Sequence, residues 1–148
     1  MRKSCFMFGH SDCPAKALPK IEQAIDLCYK DGVRDFYVGN RGAFDQLAAG
    51  AVGKAKQKYP DIQLQLVLAY HPGERQVFLG KHFDASFYPP LEDVPRPYAI
   101  VRANQYMTDM AEHLICYVCH VGNARNLLRY AQRKKAGAPM IHNVGETV

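Results

Sequence analysis

The sequence has 148 residues, of which 48% are hydrophobic and 22% are charged. A chain of this length and composition is long enough for one globular domain and too short for two ordinary ones, so residues 1–148 are predicted to form a single domain. The composition excludes a disordered chain, and the lack of any run near ~20 apolar residues excludes a membrane span.

A formal net charge of +5 would suit nucleic-acid binding if the basic residues were clustered. They are scattered along the chain, so we expect no nucleic-acid partner. The densest group places Arg125, Arg129 and Arg133 along one stripe of a predicted helix, because positions four apart share a helix face. Such a stripe is typical of a solvent-exposed surface, and contact with an acidic ligand or partner is the alternative.

Export signals and a disulfide pattern are both missing from the sequence. The N-terminal apolar run ends within a few residues, well short of the roughly 7–15 residues of a signal-peptide core. Cysteine occurs five times, an odd number at irregular spacing. We therefore expect a cytoplasmic protein with free thiols and no membrane contact.

Short apolar runs alternate with longer amphipathic segments, without repeats or linkers. In chain order the pattern predicts a strand at 5–8, a helix at 14–30, a strand at 35–38, a helix at 44–58, a strand at 64–70, a helix at 98–112, a strand at 114–119, a helix at 124–135 and a strand at 138–142. The proline-rich segment 73–97 is expected to be mostly irregular, with a short strand at 85–88. Apolar strands separated by helices indicate an open α/β domain of Rossmann-like type, with a mainly parallel sheet and helices on both faces.

The residues at 116–120, C-Y-V-C-H, match the attachment pattern of a c-type haem and contain the C-x-x-C of zinc and thiol redox sites. Side chains alternate along a strand, so Cys116 and Cys119 are expected on opposite faces of the sheet, where they cannot share one metal or haem. We interpret both as buried apolar residues. His120 differs, because it follows the strand at its carboxyl end, where open α/β sheets bind ligands.

Three predicted strand-to-helix turns carry glycine together with polar side chains. Glycine lets the backbone approach a ligand closely, and helix N-termini offer free N–H groups and positive partial charge. None of the turns matches the dinucleotide or phosphate-loop glycine motifs. Their combination nevertheless predicts one pocket for an anionic small molecule, most simply a phosphate or ribose phosphate. The residues concerned are Gly9, His10, Ser11 and Asp12; Gly39, Asn40, Arg41, Gly42 and Asp45; and His120, Gly122, Asn123 and Ala124.

A series of motifs extends in order along almost the whole chain. The most specific are F-G-H-S-D at 8–12 and F-Y-V-G-N-R-G-A-F-D at 36–45, followed by V-L-A-Y at 67–70, P-Y-A-I at 97–100, N-Q-Y-M at 104–107 and I-C-Y-V-C-H-V-G-N-A at 115–124. These motifs resemble the short bacterial members of the SLOG superfamily, the Rossmann-like group that contains DprA and LOG proteins. The resemblance implies a domain that binds a nucleotide or a nucleotide-derived ligand, of the NAD or ADP-ribose kind, at the strand ends.

The resemblance also implies most of the same turn residues as the ligand-binding set, and it adds Asn104. This sequence departs from the family pattern at three places. Members usually carry arginine where Ser11 and Ala103 stand, and paired glycines where Gly122 and Asn123 stand. The candidate replacements for the missing arginines are the nearby cations Arg41, Arg102 and Arg125.

Two functions from different classes remain open. One is binding or sensing of a nucleotide-derived ligand without turnover, and the other is a nucleotide N-glycosidase of the phosphoribohydrolase type, the activity of the LOG branch. The resemblance implies that this activity needs the glutamate of a P-G-G-x-G-T-x-x-E motif, but the matching stretch at 120–127 has no acidic residue. Asp12 and Asp45 are the remaining candidates for acid–base catalysis, although an aspartate that opens a helix is also a common N-cap.

A metal site is a third alternative. His10 and Cys13 follow the first strand, and Cys119 and His120 end the fourth main strand, so neighbouring strands would bring four zinc-type ligands together. Their spacing matches no zinc motif, and we therefore predict neither a metal nor a cofactor. A lone Rossmann-like domain often completes its site by dimerising, so we expect a homo-oligomer. No role is assigned to His71, His82, His113 and His142.

Overall fold

The computed structural model of the chain describes residues 2–73, 79–134 and 136–145. Within these residues the strands are β1 (Lys3–Gly9), β2 (Val33–Val38), β3 (Gln63–Val67), β4 (Ala85–Phe87), β5 (His113–Tyr117) and β6 (Met140–Asn143). The α-helices are α1 (Leu18–Lys30), α2 (Ala43–Lys58), α3 (Ala99–Met110) and α4 (Asn123–Gln132).

All of these strands belong to one sheet, in the order β4-β3-β2-β1-β5-β6, and every neighbouring pair is parallel. From β1 the chain adds β2, β3 and β4 on one side, then returns to add β5 and β6 on the other. The order reverses between β1 and β5, and open α/β sheets bind ligands outside the carboxyl ends of strands at such a point. The prediction of an open, Rossmann-like parallel sheet is confirmed.

The alternation of side chains along β1 separates two apolar layers. Cys5 and Met7 join the layer that α1 and α2 cover, whereas Phe6 and Phe8 join the layer that α3 and α4 cover. Because helices cover both faces, the central strands bury side chains on both sides. This explains the nearly continuous apolar runs in the sequence and confirms the prediction of helices on both faces.

The predicted elements occur in the predicted order, but several boundaries differ. The first helix begins at Leu18 rather than at residue 14, because Ala15–Ala17 form a separate 3-10 turn. Another 3-10 turn, Arg96–Tyr98, precedes α3. The short strand predicted at 85–88 is observed as β4, while residues 74–78 of the irregular segment lie outside the described residues. None of the described helices is long and apolar enough to span a bilayer.

Candidate functional site

A cavity of about 420 Å³ opens at the carboxyl ends of β1, β2 and β5. This is the point where the strand order reverses. The cavity takes Gly9 from the β1 turn, Gly39 from the β2 turn and Gly122 from the β5 turn. The three turns selected in the sequence therefore converge on one hollow.

Every predicted ligand-binding residue except Asn40 lines this cavity, including Asn104 of α3. Sequence reasoning missed most of its apolar lining. Such residues lie in or beside strands and helices, where an apolar side chain predicts packing in the core. Nothing in the sequence distinguishes an apolar residue that lines a cavity from one that fills the core. The missed residues include Val67, Ala69, Ile100 and Leu127.

The β1 and β2 turns pack directly against each other. A Cβ atom at Gly42 would fall 2.6 Å from the Cα of Ser11, closer than real side chains approach backbone. The N–H of Ala43 donates a hydrogen bond to the Ser11 carbonyl at 3.0 Å. Glycine at position 42 therefore allows the two turns to form one continuous wall of the cavity.

Helix α4 begins at the cavity without a side-chain cap. Its N-cap residue, Gly122, has a φ of +157°, a backbone conformation that other residues rarely adopt. The first N–H groups of an α-helix have no partner within the helix, and they carry a positive partial charge. Because Gly122, Asn123 and Ala124 line the cavity, these donors are available to an anion there.

His10 fixes the backbone that leads into α4. Its Nε2 accepts hydrogen bonds from the N–H groups of Cys119, at 3.0 Å, and His120, at 3.3 Å. An acceptor Nε2 places the proton on Nδ1 and leaves the ring neutral. Burial, together with the nearby charge of His120, lowers the pKa of His10 and favours this neutral form.

His120 stacks on His10, with ring centroids 3.6 Å apart and an angle of 9° between the planes. Its two ring nitrogens face acceptors, the Val121 carbonyl at 2.8 Å and the Asp12 carboxylate at 3.2 Å. These two contacts raise the pKa of His120, and the contact with His120 lowers the pKa of Asp12. The pair thus combines a neutral, buried imidazole with an exposed one that favours the cation.

Asp45 provides the second acidic group at the cavity. It lies in the first turn of α2, where its carboxylate accepts a hydrogen bond from the Arg41 N–H at 2.9 Å. Burial raises the pKa of Asp45 to about 6. The N-cap position belongs to Gly42, and Asp12 caps no helix, so neither aspartate is an N-cap residue.

The stacked histidines also bear on the metal alternative. Ligand atoms of His10, Cys119 and His120 lie within 4.8 Å of one another. However, an imidazole coordinates a metal in its own plane, and two parallel rings 3.6 Å apart cannot both direct a lone pair at one ion. The Nε2 of His10 is already bound to two N–H groups. This arrangement therefore does not fit a zinc ion.

Cys116 of the C-Y-V-C-H stretch is buried within β5, as predicted. The prediction that Cys119 is also a buried strand residue is wrong, because β5 ends at Tyr117 and Cys119 is exposed beyond it. Burial raises the pKa of Cys116 to about 12, so its thiol stays protonated and unreactive. Within this stretch the functional position is His120, at the cavity.

The fold and the site together define a class, the open parallel α/β domains with a polar pocket at the strand-order switch point. No protein-family model matches the sequence, and a comparison with curated proteins found no match.

Proposed function

We propose that the protein binds a phosphorylated, nucleotide-like small molecule in this pocket without turning it over. The observation that carries the proposal is the convergence of three glycine turns on one cavity, beside the uncapped N-terminus of α4. Backbone N–H groups at a helix N-terminus are a common binding site for phosphate groups. The resemblance to SLOG proteins supports a nucleotide-derived ligand.

The charges around the cavity favour one orientation of this ligand. The Asp45 carboxylate already lies at the N-terminus of α2 and would repel a phosphate there. At the opposite wall, the free donors of α4 adjoin His120, whose contacts favour its cationic form. The phosphate is therefore assigned to the α4 side, and ligand hydroxyl groups are assigned to the Asp45 side, since a carboxylate accepts hydrogen bonds from a ribose.

The size and lining of the cavity suit a single nucleotide unit. A volume of about 420 Å³ lies toward the lower end of the roughly 300–1,000 Å³ range of small-molecule sites. Apolar side chains such as Ile100 and Leu127 provide surface for a base or another flat group. A longer ligand, such as a dinucleotide, would extend out of the cavity.

A thermal-shift series tests the proposal with adenosine, AMP, ADP-ribose, NAD and inorganic phosphate. A ligand at 100 times its Kd stabilises the folded state by about 2.7 kcal/mol, equivalent to a rise of about 5–10 °C in Tm for a domain of this size. We expect phosphorylated compounds to raise Tm and adenosine to have little effect. No shift with any phosphorylated compound at millimolar concentration would contradict the proposal.

The variant Asn123→Asp tests whether the phosphate binds at the N-terminus of α4. It places a carboxylate in the first turn of α4, which stabilises the helix by about 0.3–1 kcal/mol but repels an anion. We expect Asn123→Asp to keep or increase the basal Tm while losing the ligand-induced shift. The control, Asn126→Asp, makes the same charge change on the same helix outside the cavity lining and should bind normally.

Hydrolysis of the N-glycosidic bond is the second candidate function, and Asp45 is the observation that favours it. A carboxyl group with a pKa of about 6 is suited to acid–base chemistry near neutral pH. Incubation with nucleoside monophosphates followed by chromatography would separate the two functions. Release of free base that Asp45→Asn abolishes supports the hydrolase, whereas binding without release supports the proposal above.

A further inference from the structure

A second cluster of titratable side chains lies away from the pocket, on the face of the sheet that α1 covers. It combines Cys28 of α1, His113 at the start of β5 and His142 of β6. One ligand atom from each residue lies within 4.8 Å of the corresponding atoms of the other two. The strand order brings this group together, because β5 and β6 are neighbours and α1 packs across β5.

The two imidazoles of this cluster meet edge to edge, unlike the stacked pair at the pocket. The Nδ1 of His113 lies 3.1 Å from the Nε2 of His142, while the ring centroids are 5.3 Å apart and the planes differ by 9°. Two nitrogens bound to one zinc ion at ~2.0 Å with tetrahedral angles are separated by about 3.3 Å. The two nitrogens already have nearly this spacing and face each other.

Asp31 sets the tautomer of His113. The Nε2 of His113 lies 2.6 Å from the Asp31 carboxylate, which can only accept a hydrogen bond, so Nε2 carries the proton. The Nδ1 of His113 is then an acceptor that faces the Nε2 of His142, and a metal ion would replace the proton between these two nitrogens. Metal-bound histidines usually donate their second N–H to a carboxylate in this way, which fixes the ring orientation.

A fourth ligand of the right chemistry lies next to the cluster. Cys5 is the partner of His113 in the pairing of β1 with β5, and its thiol donates to the Phe6 carbonyl at 3.8 Å and lies beside the thiol of Cys28. Both cysteines are fully buried and His113 is 3% exposed, so only His142 reaches solvent. Such a closed set of two thiols and two imidazoles is typical of structural zinc sites rather than catalytic ones.

We propose that Cys28, His113 and His142 bind a divalent metal ion of the zinc class, with Cys5 as the fourth ligand and Asp31 as the positioning residue of His113. The ion would join the end of α1 to three adjacent strands, including the edge strand β6. Its role is structural, and it is independent of the ligand bound at the pocket.

Cobalt substitution tests this site directly. The full chain is stripped of metal with a chelator under reducing conditions and titrated with Co²⁺. We expect one equivalent to bind, with a thiolate-to-cobalt charge-transfer band and the intense visible bands of tetrahedral coordination. Zn²⁺ should then displace the cobalt and raise Tm. A wild-type protein that shows no thiolate band and no rise in Tm with Zn²⁺ would overturn the proposal.

Matched variants identify the ligands. Cys28→Ser should weaken the charge-transfer band, to which the Cys5 thiolate still contributes, and His142→Gln should lose the tetrahedral spectrum. Both variants should lose stabilisation by Zn²⁺. Cys116→Ser, a buried thiol in the other apolar layer, and Cys119→Ser, in the His10 and His120 cluster, should retain both signals. Circular dichroism checks that each variant folds. His142 is partly exposed on an edge strand, so if Cys28→Ser does not fold, the result for His142→Gln decides whether the cluster binds the metal. Cobalt bands that survive His142→Gln, or that Cys119→Ser abolishes, would overturn the assignment.

The positioning role of Asp31 has its own readout. Because Asp31 acts through His113, Asp31→Asn should leave the tetrahedral spectrum in place and weaken metal binding by about 10–100-fold. Lys3 forms the other contact of this carboxylate, at 3.1 Å. The control Lys3→Met should therefore leave metal affinity unchanged, and an equal loss in both variants would contradict the role of Asp31.

Discussion

The stacked imidazoles of His10 and His120 have opposite tasks at the pocket. His10 accepts hydrogen bonds from two backbone N–H groups and is therefore neutral. His120 lies between a carbonyl and a carboxylate, and both acceptors favour its cationic form. The first residue holds the turn before α4 in place. The second residue supplies positive charge next to the helix N-terminus that we assign to the phosphate.

Replacing His10 tests its part in shaping the pocket. His10→Ala leaves the N–H groups of Cys119 and His120 without their acceptor, so we expect a loss of about 1–3 kcal/mol in the free energy of unfolding and a loss of ligand binding. His10→Gln places an amide oxygen close to the former Nε2 and should recover part of both. Urea unfolding and the thermal-shift series provide the measurements. If the glutamine variant is as unstable as the alanine variant, the hydrogen bonds do not hold the turn.

Asp45 gives a pH dependence of known sign. Its pKa in the folded state is about 6, raised from 3.8, so the folded protein binds more protons than the unfolded chain between about pH 4 and 6. The contribution of Asp45 is therefore favourable at low pH and is lost as the pH rises through 6. We expect Asp45→Asn to be more stable than wild type by about 1–3 kcal/mol at pH 7.5.

The gain from Asp45→Asn should shrink to near zero at about pH 3, because wild-type Asp45 is then mostly protonated in both states. Urea unfolding at the two pH values measures the difference. Asparagine can still accept the hydrogen bond of the Arg41 N–H, so the turn is preserved. A gain of the same size at both pH values would contradict burial as the cause of the raised pKa.

Among the secondary-structure elements, α4 has the most demanding start. Gly122→Ala places a Cβ on a residue with a φ of +157°, and we expect a destabilisation of about 1–3 kcal/mol with loss of the ligand-induced shift in Tm. Gly50→Ala is the matched control, because Gly50 lies inside α2 with no atom within 4 Å of an added Cβ. That substitution should stabilise the protein by about 0.5–1 kcal/mol and leave binding unchanged. Equal effects of the two substitutions on Tm would argue against strain at Gly122.

Element positions could be predicted from the sequence because each strand and helix has a strong local pattern. The boundaries were less predictable where 3-10 turns precede helices. At Ala15–Ala17, for example, the residue types suit an α-helix as well as a 3-10 turn. The hydrogen bond from the Ala17 N–H to the Pro14 carbonyl is that of the tighter turn. The polar rim of the pocket was also predictable, since the turn residues that form it are consecutive in sequence.

The cluster of Cys28, His113 and His142 shows the limit of prediction at the scale of the whole molecule. His113 and His142 lie at the start and in the middle of separate strands and, taken singly, they have no motif. Their meeting with Cys28 follows from the strand order, which places β6 beside β5 and α1 across them. Local pattern predicts that strands are parallel but does not give their order, so side chains contributed by distant segments could not be grouped from the sequence.

Surface carboxylates join distant parts of the chain and determine how the whole molecule responds to acid. Asp26 of α1 accepts a hydrogen bond from the hydroxyl of Tyr59 beyond the end of α2 and pairs with Lys30 at 2.9 Å. Asp61 accepts a hydrogen bond from the hydroxyl of Tyr29 at 2.8 Å. The hydrogen bond from Tyr59 and the pairing with Lys30 lower the pKa of Asp26 to about 2, and that from Tyr29 lowers the pKa of Asp61.

A folded-state pKa below the unfolded value of 3.8 contributes stability above about pH 4, and this is lost as the pH falls through about 2. We therefore expect wild-type stability to decrease steeply between pH 4 and 2. The stability deficit of Asp26→Asn relative to wild type should be large at pH 6 and small at pH 2. The control Asp93→Asn changes an exposed loop carboxylate and should follow wild type throughout. Because these pairs are exposed, 1 M salt should reduce the difference between Asp26→Asn and wild type. A difference of the same size at pH 2 as at pH 6 would show that Asp26 acts through packing rather than charge.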